Sequence, residues 1–294
     1  FLVSPASAIA GGARLIADGA TFALGRVPFP VSGTTYMDSQ VHRRFLLEPD
    51  PRRWHDDFGA MQHAGVNLVR TGIWTGWDEH CELGRPVPTE AVLRAFEAWL
   101  LTAREQGMPV IFTFFAFVPP AWGGENPYLD PQAVAAQSEF VATFARRFAP
   151  ARDLAWDLIN EPSFSSPQRL WQCRPNYDAS EQAAWAAWLR RLAAGREGED
   201  LALFLQDRWG AIDGDPTALP ALDDFADRHL FGDARPRRAA DYRRFAQDAF
   251  AGWTRQLTAV IREAGAAAAG PAGDFRQLVT VGQDEGGLFD RPGP

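Results

Sequence analysis

The chain has 294 residues, 46% hydrophobic and 22% charged, which supplies one large core or two smaller ones and excludes a disordered or fibrous class. With 29 basic against 37 acidic residues the net charge is −8, so no surface-wide positive field exists to hold nucleic acid or an anionic membrane. Every basic residue is Arg, and the absence of Lys removes Schiff-base, pyridoxal phosphate and P-loop chemistry.

Residues 1–29 read as a lead-in segment, and from residue 30 onward strand and helix patterns alternate, which predicts βα units on a parallel sheet. A first strand is expected around Thr34 to Ser39. A helix follows Glu48-Pro49-Asp50-Pro51, with Trp54, Phe58 and Met61 on one face and Gly65 as its stop. The second strand runs from Val66 to Trp74, and the second helix follows Pro88-Thr89, carries Val92, Phe96, Trp99 and Leu100, and ends at Gly107. The third strand, Pro109 to Phe117, is almost continuously apolar, as a strand covered on both faces must be. Asp130-Pro131 gives an N-cap and an N1 proline to the third helix, which presents Val134, Val141, Phe144 and Phe148. The fourth strand, Leu154 to Ile159, leads straight into Asn160-Glu161-Pro162.

After Pro162 the rhythm breaks. Residues 163–265 hold helical patterns, one marked by Trp185, Trp188, Leu189 and Leu192 and a long one from Tyr242 to a stop at Gly265. A strand returns at Gln277 to Gly282 and counts as the fifth. The fold class is therefore α/β, a (β/α)8 TIM barrel incomplete in this chain, with about five strands and a helical insertion after the fourth. The partial barrel spans residues 30–294, with the insertion at 163–265. A chain that starts on Phe1 and holds five strands is expected to be a piece of a longer protein, with the rest of the barrel supplied beyond Pro294. The amino terminus lacks a basic n-region and no apolar run is long enough for a membrane span, so localisation is not legible there.

Asn160-Glu161-Pro162 sits at the carboxyl end of a buried strand, the place where barrel folds gather catalytic groups. The competing reading of Glu161 is a loop residue before a proline. Trp74, Trp77, Trp122 and Trp171 fall just after strands, where an indole face can stack on a sugar ring, whereas Trp54, Trp99, Trp185, Trp188 and Trp253 have the spacing of packing residues. Asp78, Glu79 and His80 lie in the same stretch as Trp77, either as polar contacts or as a solvated loop. The five histidines form no HxH or HExxH pair and Cys81 and Cys173 are far apart, so no metal site is expected and free thiols are the default.

Trp54, Asp57-Phe58, Met61, Ala64-Gly65-Val66-Asn67 and Val69-Arg70, followed by Trp156-Asp157-Leu158-Ile159-Asn160-Glu161-Pro162, resemble the clan of (β/α)8 retaining glycoside hydrolases. That clan includes family 5 cellulases and mannanases and family 42 β-galactosidases. Leu278 to Gly282 looks like the fifth strand of family 5 mannanases. Arg208-Trp209-Gly210 and Asp241 to Phe245 look like the helical insertion of family 42.

The resemblance implies a β-glycosidase that hydrolyses β-linked hexosides by double displacement, with two carboxyl groups about 5 to 5.5 Å apart and no cofactor or metal. It makes Glu161 the general acid/base and Asn160 the partner of the sugar 2-hydroxyl. It makes Arg70 the group that holds the nucleophilic carboxylate; an ordinary interior ion pair is the other reading of Arg70. The clan's nucleophile belongs to a seventh strand and is expected beyond Pro294. A rival reading counts Val279 to Gly282 as that strand and makes Glu285 the nucleophile. A non-catalytic carbohydrate-binding barrel is the alternative function. In either case the partner is an oligo- or polysaccharide.

Overall fold

The computed structural model describes residues 12–19, 21–116, 119–164, 173–211, 214–225, 236–270 and 275–282. They fall into two compact units: one drawn from residues 1–120, 136–161 and 256–283, the other from 121–135, 162–255 and 284–294.

The first unit is built on two sheets. β1 (Leu15–Asp18), β2 (Thr21–Leu24) and β3 (Val27–Phe29) form an antiparallel meander. Both of its two-residue turns carry a glycine at positive φ, Gly19 at 60° and Gly25 at 63°, as tight hairpins demand. The stretch expected to be a mere lead-in thus has structure of its own. The second sheet is parallel and runs in the order β4 (Gly33–Thr35), β5 (Leu68–Gly72), β6 (Val110–Phe115), β7 (Leu154–Ile159), β8 (Val279–Thr280). Five parallel strands joined through helices match part of a (β/α)8 barrel. β8 pairs directly with β7, with Trp156 opposite Val279, which makes it the fifth strand of the sheet and removes the reading of it as the seventh.

Local chemistry sets the helices between them. α1 (Pro51–His63) is capped by Asp50, whose carboxylate accepts from the Arg52 and Arg53 amides. α2 (Glu90–Glu105) is capped by the Thr89 hydroxyl, and α3 (Pro131–Arg147) starts where Asp130 accepts from the Gln132 amide. Phe96 and Trp99 of α2 and Phe140 and Phe144 of α3 are fully buried, and the outer face of the sheet meets them through Phe112, Phe114 and Trp156.

The inner face is apolar at the amino-terminal ends of the strands. There Leu15, Leu24 and Phe29 of the meander cluster with Leu68 and Ala155, with Ile111 and Leu278 packed alongside. β8 is only two residues long, but Gln277 before it is fully engaged. Its Oε1 accepts from Trp156 Nε1 at 2.7 Å and its Nε2 donates to the carbonyls of Phe148 and Ala151.

The second unit is helical among the described residues. α4 (Ala179–Leu192) and α5 (Gly198–Trp209) join the first part of α6 (Pro236–Ala269) around an aromatic core in which Trp185 stacks between Trp188 and Trp209. α6 does not stop at Gly265. Gly265 lies within the helix, against the Phe275 ring, which a Cβ there would meet at 2.2 Å. Trp54, Trp99, Trp185, Trp188 and Trp253 are all buried, as their helical spacing requires.

Candidate active site

Strand alternation decides which side chains share a face. Where Trp156 and Phe112 point to the helices, Asp157 and Thr113 point to the inner side, and the two stand opposite each other in the β6–β7 register. Arg70 of β5 lies one step lower, paired with Ile111, and its length carries the guanidinium up to the same level. Arg70 Nε and Nη2 donate to Asp157 Oδ2 at 3.1 and 2.6 Å, and Thr113 Oγ1 donates to the same oxygen at 2.8 Å. The other oxygen, Asp157 Oδ1, accepts from the Gly282 amide at 3.0 Å. One buried carboxylate thus ties together three strands and the segment after β8.

Arg70 also reaches the loop after β7. Its Nη1 donates to Asn160 Oδ1 at 3.0 Å, while the Asn160 amide donates to the Phe115 carbonyl at 2.8 Å. The next residue, Glu161, is exposed and holds φ at 46°, the left-handed region that a residue before proline avoids. The neighbouring Gly282 amide bonds the Ile159 carbonyl at 2.9 Å, an approach so close that a Cβ on Gly282 would lie 2.4 Å from that oxygen. Two hydrogen-bonded neighbours therefore keep the strand end in place while Glu161 projects from it. The strand that leads to it is buried along its whole length, but Glu161 itself is exposed.

Arg70, Asn160 and Glu161 are brought together at one strand end, and Trp74 joins them from the end of β5. The Arg70 guanidinium lies 5.2 Å from the Trp74 ring centre, so one face of that buried indole is covered by protein. Trp77 is a correction. It is only 1% exposed, packs edge-on against Phe115 and Phe140, and donates from Nε1 to the Pro120 carbonyl, which makes it a packing residue with no face for a sugar.

Asp78 and Glu79 are exposed on the short 3-10 turn that Trp77 opens, and Glu79 meets Arg44 at 3.3 Å. His80 is buried in that turn, and burial pushes its imidazole below the ordinary range. Trp122 belongs to the second unit, half-buried at φ 43°. Trp171 and Glu285 lie outside the described residues. Neither Cys81 nor Cys173 is in a disulfide, and burial pushes the Cys81 thiol up to about 12.

The Asp157 side chain makes four hydrogen bonds, a role that its place in the Trp156-Asp157-Leu158 run does not disclose. A charged residue inside an otherwise apolar strand was the signal that marked it.

The model of the family described as cellulase (glycosyl hydrolase family 5) matches residues 33–194, more than half of the chain. Among solved structures, the endo-1,4-β-mannanase from Rhizomucor miehei is 16% identical over 62% of this chain and 57% of its own, with a TM-score of 0.45. The β-mannanase from the blue mussel Mytilus edulis is 18% identical over 59% of this chain and 50% of its own, also with a TM-score of 0.45. A GH5_18 enzyme from Streptomyces cattleya, solved in complex with Manb1-4GlcNAc, is 19% identical with a TM-score of 0.41, and this chain covers 41% of its length. The chain therefore spans about two fifths to three fifths of these structures, and at such scores they add nothing to the family match. A search of the curated proteins returned no match.

Proposed function

The chain belongs to glycosyl hydrolase family 5, and from that premise we propose that it carries the acid/base half of a retaining β-glycosidase acting on β-linked hexosides such as mannan, glucan or a galactoside. Glu161 protonates the departing glycosidic oxygen and then takes a proton from the water that releases the sugar. Asn160 donates to the sugar 2-hydroxyl, a contact that strengthens in the transition state. Arg70 has three of its five N–H groups engaged by Asp157 and Asn160, and the remainder suit a second carboxylate, the nucleophile, which we place beyond Pro294. The interior ion pair and the catalytic reading of Arg70 are thus compatible. Trp74, beside Arg70 at the end of β5, is proposed to border the sugar.

The observation that carries this reading is the projection of Glu161 from the end of β7 beside an Asn160 already oriented by Arg70. The test is Glu161→Gln in the full-length protein. Turnover of unactivated β-mannan, β-glucan or β-galactoside is expected to fall by about 10² to 10⁴. The loss should be smaller for aryl glycosides whose leaving group needs no proton. Wild-type turnover in the variant overturns the assignment. A wild type that binds these sugars and turns none over supports the binding barrel instead.

A further inference from the structure

An asparagine side chain has one acceptor and two donors, and an arginine can only donate. The 3.0 Å bond from Arg70 Nη1 therefore settles which end of the Asn160 amide faces the guanidinium: it is Oδ1, and the two Nδ2–H donors are turned elsewhere. The orientation of that amide is only as fixed as Arg70 itself. Arg70 is held by Asp157, which receives two of its N–H groups on one oxygen, with Thr113 and the Gly282 amide completing the carboxylate. The Asp157 side chain is 2% exposed and that of Arg70 is 26% exposed, so the restraint is anchored inside the sheet and reaches outward to its rim.

We infer that Asp157 is a positioning residue that sets, through Arg70, the donor end of Asn160 toward the substrate. It touches no substrate itself. The inference rests on the glycosidase reading for its catalytic consequence, since it says why the sugar side of this amide presents donors to a hydroxyl oxygen. The hydrogen-bond relay it describes stands on the geometry alone.

The experiment reads both. In the full-length protein, the Asn160 side-chain 15N–1H pair is assigned by its loss in Asn160→Ser and followed in Asp157→Asn. That variant removes the charge and sets an NH2 group against the Gly282 N–H. The pair is expected to shift and broaden, while kcat falls about tenfold or more with KM little changed. The fall should vanish when Asn160→Ala is already present, because residues on one relay are not additive. An unmoved Asn160 signal in a folded Asp157→Asn protein, or strictly additive losses, overturns the inference. Should Asp157→Asn fail to fold, Thr113→Val removes one donor from the same oxygen; it is expected to move the signal the same way by less, and an unmoved signal again overturns it. A wild type without turnover defeats the glycosidase reading alone, and the amide signal still decides the role of Asp157.

Discussion

The two units each bury carboxylates, and they complete them differently. In the parallel-sheet unit, Asp157 accepts from Arg70, Thr113 and the Gly282 amide, but its arginine continues to Asn160 at the rim, so the network ends at solvent. In the helical unit, Asp241 accepts from Arg208 through both oxygens and from Trp209 Nε1 at 2.7 Å. Glu181 is closed in the same way, taking the Tyr242 hydroxyl on one oxygen and the Asn176 and Tyr177 amides on the other. A network that closes on itself braces a fold. One that ends at an exposed rim holds a group ready for something outside.

That contrast breaks if charges in the two units respond alike. Glu161→Gln carries the largest effect, the loss of turnover given above, and because the residue is exposed, stability should stay within about 0.5 kcal/mol of wild type in chemical denaturation. Asp241→Ala should do the reverse. It strands Arg208 and the Trp209 N–H, and since Arg208 is about a third exposed the expected cost is about 2 to 4 kcal/mol, read as an earlier urea midpoint for the helical unit.

A smaller effect comes from Glu181. Burial raises its carboxyl above the ordinary range even though the Tyr242 hydroxyl and two amides pull the other way. A raised folded-state value means that the contribution to stability is present in full below the ordinary glutamate value of about 4.3 and fades as pH rises through the raised one. The urea midpoint of the helical unit should therefore decline over that window, and Glu181→Gln should flatten the slope; a parallel slope in the variant would remove Glu181 from the account. The smallest expected effect is that of Leu83→Ser. Leu83 is fully exposed beyond the Trp77 turn, and its replacement should leave both midpoints unchanged within about 0.5 kcal/mol.

Much of the first unit was legible residue by residue. Asp50, Thr89 and Asp130 announced three helices, and the apolar runs from Val110 and Leu154 announced two buried strands, because caps and periodicity are local signals. The Asp18-Gly19 turn is an equally local signal for the first hairpin of the meander.

What local pattern does not carry is the partner across space. Arg70 and Asp157 are 87 positions apart, and their pairing depends on the register of three strands. Gly265 reads as a helix stop because nothing nearby in sequence reveals the Phe275 ring that packs against it. Trp77 read as a platform because following a strand does not tell which way a side chain turns. In the helical segment, Arg208, Trp209 and Asp241, singled out for their likeness to family 42, bond one another, so the motif has a structural reason to exist whatever its ancestry.

The antiparallel meander has a practical bearing on how this protein is dissected. The family match begins at residue 33, after Leu15, Leu24 and Phe29 have already been laid against Leu68 and Ala155. A fragment trimmed to the matched span would lift the floor from under the sheet and bare a greasy hollow of Leu68, Ile111 and Ala155 to water, inviting aggregation before any enzymology could begin.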